Sequence, residues 1–255
     1  MAIDGLLVER ADGVLRLTFD RPERLNAFTA ELILAACEEV DAAAEDGTRV
    51  IVLTGSGRAF SAGADVGPDG AAPGLGTLHA ANRFTTALTS SPAVVVAAVN
   101  GVAAGIGCSF ALAADLTVAK ESASFMLAFT KIGLMPDGGA SLLVPAAVGR
   151  ARAARMALLA EKVGARQAAE WGLIAEAVPD DDFDAQIEGL VEQLSAGAPL
   201  ALAATKRTLN ELTLALLPQT LAAERDRQGA MLESADFAEG VAAFREKRAA
   251  RFTGR

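Results

Sequence analysis

A mixed α/β fold is predicted by three features of the sequence. Strand-like and helix-like segments alternate through the first half, residues 93–99 form an unbroken apolar run suited to a strand buried on both faces, and the chain from Ala151 onward is mostly helix-compatible. Residues 13–19 alternate, with Leu15, Leu17 and Phe19 on one side and Arg16 and Thr18 on the other, as in a half-buried strand. A loop containing Pro22 follows. Thr29 is then placed to cap a helix running to about residue 45, in which Leu32, Ala36, Val40 and Ala44 fall four apart. Residues 50–53 read as a short buried strand, and residues 68–76, made of Gly, Pro and Ala with little to pack, as a mobile loop. After residues 93–99 come a Gly-rich turn, a short helical stretch and a strand near residues 116–119. Helices are expected over residues 151–160 and 165–171, the second stopped by Gly172, then an extended piece over 174–178. Three further helical stretches are broken near Pro199, Pro218 and Ser234. No internal repeat emerges from the sequence itself.

A length of 255 residues fits one large domain or a domain with an appendage, and 52% hydrophobic residues suffice for a full core. The net charge of −9 argues against a nucleic-acid partner, because phosphate backbones require clustered positive surface. With Cys37 and Cys108 as the two cysteines, no charged-then-apolar leader and no apolar run of bilayer length, the expectation is a reduced, soluble, cytoplasmic protein without a membrane partner. One histidine, two distant cysteines and no HExxH or CxxC spacing leave no metal site to expect, and no P-loop or dinucleotide fingerprint follows a strand.

Two remote stretches carry the functional signal: Phe60-Ser61-Ala62-Gly63-Ala64-Asp65-Val66 and Asn100-Gly101-Val102-Ala103-Ala104-Gly105-Ile106-Gly107-Cys108. Small residues and glycines let main chain approach a ligand closely, so each stretch is suited to aim a backbone N–H at one oxygen. Together they imply an oxyanion hole, whose obvious use is to hold an enolate.

These stretches resemble the paired signatures of the crotonase (enoyl-CoA hydratase/isomerase) superfamily. The resemblance extends through Arg21-Pro22-Glu23-Arg24-Leu25-Asn26-Ala27-Phe28, Gly133-Leu134-Met135-Pro136-Asp137-Gly138-Gly139, Glu170-Trp171-Gly172-Leu173 and Phe244-Arg245-Glu246-Lys247-Arg248. It implies a spiral of ββα units over residues 1–195, followed by a helical region over 196–255 that drives assembly into a homotrimer or a dimer of trimers. It also implies an acyl-CoA thioester as substrate, with coenzyme A entering as part of the substrate and no separate cofactor. By motif position the oxyanion donors are the backbone N–H groups of Ala64 and Ile106. Arg24, Leu25, Ala62, Asp65 and Val66 match the family's coenzyme A contacts. Phe244 and Lys247 match a contact made from a neighbouring subunit in related oligomers.

Hydratases of the family carry glutamates where this sequence has Ser109 and Phe129, neither of which replaces a carboxylate in acid–base chemistry. Asp137 matches the acidic position of several enoyl-CoA isomerases, and moving a double bond needs only one proton shuttle. Ser109, Phe129 and Met135 are expected to form an acyl pocket whose apolar surroundings raise the pKa of Asp137. An Asp before Gly-Gly is also a good helix cap, which would lower that pKa, and the sequence leaves both roles open. The resulting expectation is an enoyl-CoA isomerase; a hydratase with a non-standard acid/base and a non-catalytic acyl-CoA binder are the alternatives. His79 without a carboxylate partner reads as a surface or packed residue, Cys108 as small apolar packing, and Asp115 as a structural hydrogen-bonding residue.

Overall fold

The chain opens, in a computed structural model that describes residues 4–67 and 72–255, on β1 (Leu6–Ala11), paired antiparallel with β2 (Val14–Phe19). In β2, Leu15, Leu17 and Phe19 are buried as their alternation requires, whereas β1 buries only Leu6, so it has no periodicity to betray it. Thr29 caps α1 (Ala30–Ala43), its hydroxyl accepting from the Leu32 N–H at 3.2 Å.

Strand, strand and helix then recur in three successive turns. The first is β3 (Val50–Gly55), β4 (Ala59–Ser61) and α2 (Leu75–Ser90); the second is β5 (Val94–Val99), β6 (Val102–Ala104) and α3 (Ile106–Leu112). The third is β7 (Leu116–Lys120), β8 (Ser124–Met126) and α4 (Ala140–Leu159), with a 3-10 turn at Ala128–Ile132 before the helix and a break at Gly149 within it. β9 (Val163–Gly164), α5 (Ala165–Trp171), β10 (Glu176–Val178) and α6 (Phe183–Ala196) lead to α7 (Pro199–Thr213), α8 (Leu217–Leu232) and α9 (Ala235–Arg245). The helix breaks expected near Pro199, Pro218 and Ser234 match the starts of these last three helices. Of the loop expected over residues 68–76, residues 68–71 lie outside the described residues, and Leu75 and Gly76 already belong to α2.

Each turn contributes its first strand to one sheet and its second to another. The larger sheet runs β1-β2-β3-β5-β7-β10 and the smaller β4-β6-β8-β9, with β2-β3-β5-β7 mutually parallel. The parallel strand β5 is buried on both faces for a visible reason. Val95, Ala97 and Val99 face the main core, and Val96 and Ala98 join Val50, Val52 and Val118 under Phe183, Ile187 and Val191 of α6. In the main core, edge-on aromatic contacts link Phe19 to Phe28 (4.7 Å), Phe28 to Phe110 (5.2 Å) and Phe110 to Phe84 (4.8 Å), each worth about 0.5–1.5 kcal/mol beyond area burial. They lock α3 between the entry to α1 and the middle of α2. Among the described residues no helix is long and apolar enough to cross a membrane.

Candidate active site

The two glycine-rich stretches meet. A parallel bridge joins Phe28 to Ala64: the Phe28 N–H donates to the Gly63 carbonyl at 2.8 Å and the Asp65 N–H to the Phe28 carbonyl at 2.9 Å. In such a bridge Gly63 and Asp65 face Phe28, so the N–H of Ala64 between them faces the opposite side. Gly63 lies against the second stretch with φ of +98°, and a Cβ there would fall 2.8 Å from the Ala104 carbonyl oxygen. Gly107 makes the matching approach, since its Cβ would fall 2.7 Å from that of Ser61. Ile106 opens α3, so its N–H lacks an acceptor within the helix. Ala64 and Ile106 both line one cavity of about 410 Å³, as does Asp137.

The residues 21–28 hold the first stretch in place. The Ala62 N–H donates to the Leu25 carbonyl at 2.8 Å, and Arg21 reaches Asp65 Oδ2 at 2.9 Å and the Ala27 carbonyl at 2.6 Å. The buried Asn26 amide donates to the carbonyls of Ser56 (2.9 Å) and Ala59 (2.7 Å), and Asn100 reaches Ala59 from the second stretch at 3.2 Å. Both asparagines therefore brace the turn that feeds β4. Burial alone pushes the Asp65 carboxyl up, but the Gly67 N–H and the Arg21 guanidinium outweigh it and hold the pKa below the usual value. Replacing Gly63 with Ala should force the two stretches apart. We expect kcat to fall by about 10²–10³, the cost of losing one oxyanion donor, while the far-ultraviolet circular dichroism of the folded protein is unchanged.

Asp137 is 7% exposed and its side chain does not cap α4. That work falls to Glu224 of α8, which accepts from the Gly139 N–H at 2.8 Å and the Ser141 N–H at 2.9 Å. Asp137 instead accepts from Gln228 Nε2 at 2.9 Å through Oδ2, and Oδ1 is buried without a hydrogen-bond partner. Burial pushes its pKa up to about 7; the Gln228 donor pulls the other way, and the negative charge of Glu224 adds to the rise. The capping role, with its lowered pKa, is thus not what the structure shows. Burial also raises the pKa of Glu224, against the pull of its bonds from Ser141 and Gly139.

Among the other residues singled out in the sequence, Leu25, Ala62, Val66, Phe129 and Phe244 line the same cavity. Ser109 and Met135, expected in the acyl wall, do not. Ser109 is fully buried and donates to the Asp137 main-chain carbonyl at 2.8 Å, while Leu134 and Ile132 take the place expected for Met135. Asp65 is engaged with Arg21 and Gly67, and Arg24 stands against Gly67; neither lines the cavity. Lys247 is exposed beyond the end of α9 and also stands outside the cavity wall. Phe244 reaches the cavity of its own chain because α9 folds onto the 3-10 turn: at Gly240 a Cβ would fall 2.5 Å from the Ile132 main chain. His79 is exposed on α2 and away from the cavity. Cys108 is buried, its thiol pushed up to about 12 by burial.

Gln228, Leu232, Thr77 and Leu78 also line the cavity, though nothing in the motifs marks them. A signal for the first existed. Leu217, Leu221, Glu224 and Gln228 recur at helical spacing on one face of α8, all buried, so the last two are polar residues on an inward stripe. They also show that residues 196–255 are part of the cavity and not only an appendage to it.

A spiral of this kind, with its cavity lined by the smaller sheet's strands and the helices that follow them, is the crotonase fold. The chain belongs to the enoyl-CoA hydratase/isomerase family, whose model matches residues 9–255. It is 48% identical over 263 residues, covering all of both chains, to a Rhodobacter capsulatus protein named a probable enoyl-CoA hydratase. It is 41% identical to the 1,2-epoxyphenylacetyl-CoA isomerase of Escherichia coli, over 95% of this chain and 96% of that one. An enoyl-CoA hydratase structure from Mycobacterium avium subsp. paratuberculosis superposes with a TM-score of 0.94 at 43% identity, over 99% of this chain and all of the other.

Proposed function

We propose that the protein is an enoyl-CoA isomerase that shifts a double bond through a thioester dienolate, with Asp137 as its one proton shuttle. The observation that carries this reading is that Asp137, with a pKa raised to about 7, is the only carboxylate among the described residues lining the cavity that holds Ala64 and Ile106. The thioester oxygen is placed between the Ala64 and Ile106 N–H groups. Asp137 takes a proton from the α-carbon of a 3-enoyl thioester; the C–H pair forms a double bond to the carbonyl carbon, and the carbonyl π pair moves onto the oxygen held by the two amides. On return, the oxygen pair restores the carbonyl, the new double bond shifts to the α–β position, and the former β–γ pair takes the proton from Asp137 at the γ-carbon. Nothing is added or lost, so no second acid or base is required. The CoA-thioester isomerase named among the relatives acts on an epoxide and so supports isomerase chemistry in general; Ser109 and Phe129 in place of two glutamates favour a single-shuttle reaction over hydration.

In this proposal Leu25, Ala62, Val66 and Phe244 flank the pantetheine arm, with Arg24, Asp65 and Lys247 towards the nucleotide. The exposed Leu200, Leu209, Leu212 and Leu216 on and after α7 give a trimer or dimer of trimers an apolar surface to cover. A cytoplasmic setting belongs to the same reading. The 48% relative's name favours hydration instead. Assaying 3-enoyl-CoA isomerisation and 2-enoyl-CoA hydration side by side separates the two. We expect isomerisation to dominate; fast hydration with no isomerisation overturns the proposal.

A further inference from the structure

We propose that Gln228 is a positioning residue that decides which oxygen of Asp137 carries the proton, an inference that rests on Asp137 as the shuttle. The Met135 main chain fixes the Gln228 amide: the Met135 N–H donates to Oε1 at 3.0 Å, and Nε2 donates to the Met135 carbonyl, also at 3.0 Å. An amide held at both ends by one residue cannot flip without breaking both bonds. Nε2 has two hydrogens, one used on Met135, so the other must point at Asp137 Oδ2 at 2.9 Å. Oδ2 is thereby held as an acceptor. When the carboxyl is protonated the proton sits on Oδ1, the oxygen with no hydrogen-bond partner, and Oδ1 is the atom that takes and returns the substrate proton.

Among the described residues no competing donor reaches Oδ1. From α3 come Ser109, spent on the Asp137 carbonyl, and Ile106; from α2 comes Thr85, whose hydroxyl donates to the Gly138 carbonyl at 2.9 Å. The 3-10 turn brings Phe129 and Ile132, with Lys131 exposed at the cavity and directed at the Met126 sulfur at 3.4 Å. From α8 the charged neighbour is Glu224, one helical turn before Gln228, its oxygens occupied by the Gly139 and Ser141 N–H groups. Two α8 residues thus divide the work: Glu224 holds the loop, and Gln228 orients the carboxyl. The Gln228 donor also opposes the rise that burial imposes on Asp137, so removing it should send the pKa higher.

The test compares wild type with Gln228→Met, which keeps the side chain's length, and Gln228→Glu, which keeps its shape. The Asp137 carboxyl is titrated directly by difference infrared spectroscopy, with Asp137→Asn identifying its band, and isomerisation is followed from pH 5 to 9. In Gln228→Met the infrared midpoint should rise by about one unit, and the acid limb of kcat/KM should move with it, a tenfold loss of ionised carboxylate at a given low pH. Because Gln228 also lines the cavity, any change in KM from the altered wall should be constant with pH, whereas the loss that runs through Asp137 should be steepest at low pH and shrink towards pH 9. Gln228→Glu, which sets a second carboxylate against Oδ2, should raise the midpoint further. An unchanged infrared midpoint in a folded Gln228→Met protein, or a lost rate with an unmoved pH profile, overturns the role of Gln228. Failure of the isomerase reading looks different: Asp137→Asn would keep its rate while the Gln228 variants still shifted the Asp137 titration.

Discussion

Asp137→Asn should lower isomerisation, and exchange of the substrate α-proton with solvent deuterium, by about 10²–10⁴, the range that a positioned acid–base group supplies. Asparagine keeps the shape of the carboxyl and still offers an acceptor to Gln228, so the loss reports proton transfer and not packing. KM should change little, because the two oxyanion amides and the cavity wall remain. Background-level exchange in the wild type would instead mark a protein that binds thioesters without turning them over. The pH profile follows from the same group. Asp137 acts as a base when ionised, and burial pushes its pKa to about 7, so wild-type kcat/KM should climb through about pH 7 and level off above it.

This catalytic poise has a stability consequence of definite sign. Between the ordinary aspartate pKa of about 4 and the folded value of about 7, the folded protein keeps a proton that the unfolded chain has released. Stability contributed by this group therefore falls as pH rises through that window, and the loss is complete above it. Asparagine does not titrate. Melting curves at pH 5 and pH 8 should show Asp137→Asn gaining on wild type at the higher pH, the trade between stability and activity expected of a buried base.

Much of the frame was legible because its signals are local. Alternation marks β2, the unbroken apolar run marks β5, Thr29 marks the start of α1, and Gly172 with φ of +76° marks the end of α5. The second strand of each turn was not legible, since β4, β6 and β8 have three residues apiece, too few to show a period. The spiral itself appeared in the sequence only through family resemblance. At the site, small residues announce close main-chain approach, which is a local property. The role of Asp137 is not. Whether an Asp before Gly-Gly caps its helix or stays free depends on what else reaches the helix start, and Glu224 comes from 85 residues away to reach Gly139. Ser109 and Met135 stand outside the cavity for equally non-local reasons: Ser109 is drawn to the Asp137 main-chain carbonyl, 28 residues on, and the Met135 main chain is held by Gln228 of α8.

That docking depends on the helix before it, and Lys206→Met should destabilise the protein by about 3–5 kcal/mol, on the order of 10 °C in Tm. Lys206 of α7 is 6% exposed, and its ammonium meets three acceptors: the carbonyls of Leu88 (2.8 Å) and Ala93 (2.9 Å), and Asp115 Oδ2 at 2.8 Å. Asp115 in turn accepts from the Val95 N–H at 2.8 Å, so one ion pair ties α7 to the end of α2 and the start of β5. Burial lowers the Lys206 pKa and raises that of Asp115, each opposed by the other's charge. Methionine keeps the apolar stem but leaves a buried carboxylate with one N–H for company. Its folded pKa then rises further above the unfolded value, so the deficit should be largest near pH 7 and shrink as the pH falls and Asp115 takes up a proton. Asp115→Asn on the Lys206→Met background should recover part of the loss, because it removes the unpaired charge. A Lys206→Met protein that melts within a degree of wild type at pH 7 would show that α7 is held by its apolar contacts alone. Because α7 leads directly into the helix that carries Glu224 and Gln228, activity in this variant should decline together with the folded signal on heating, and not before it.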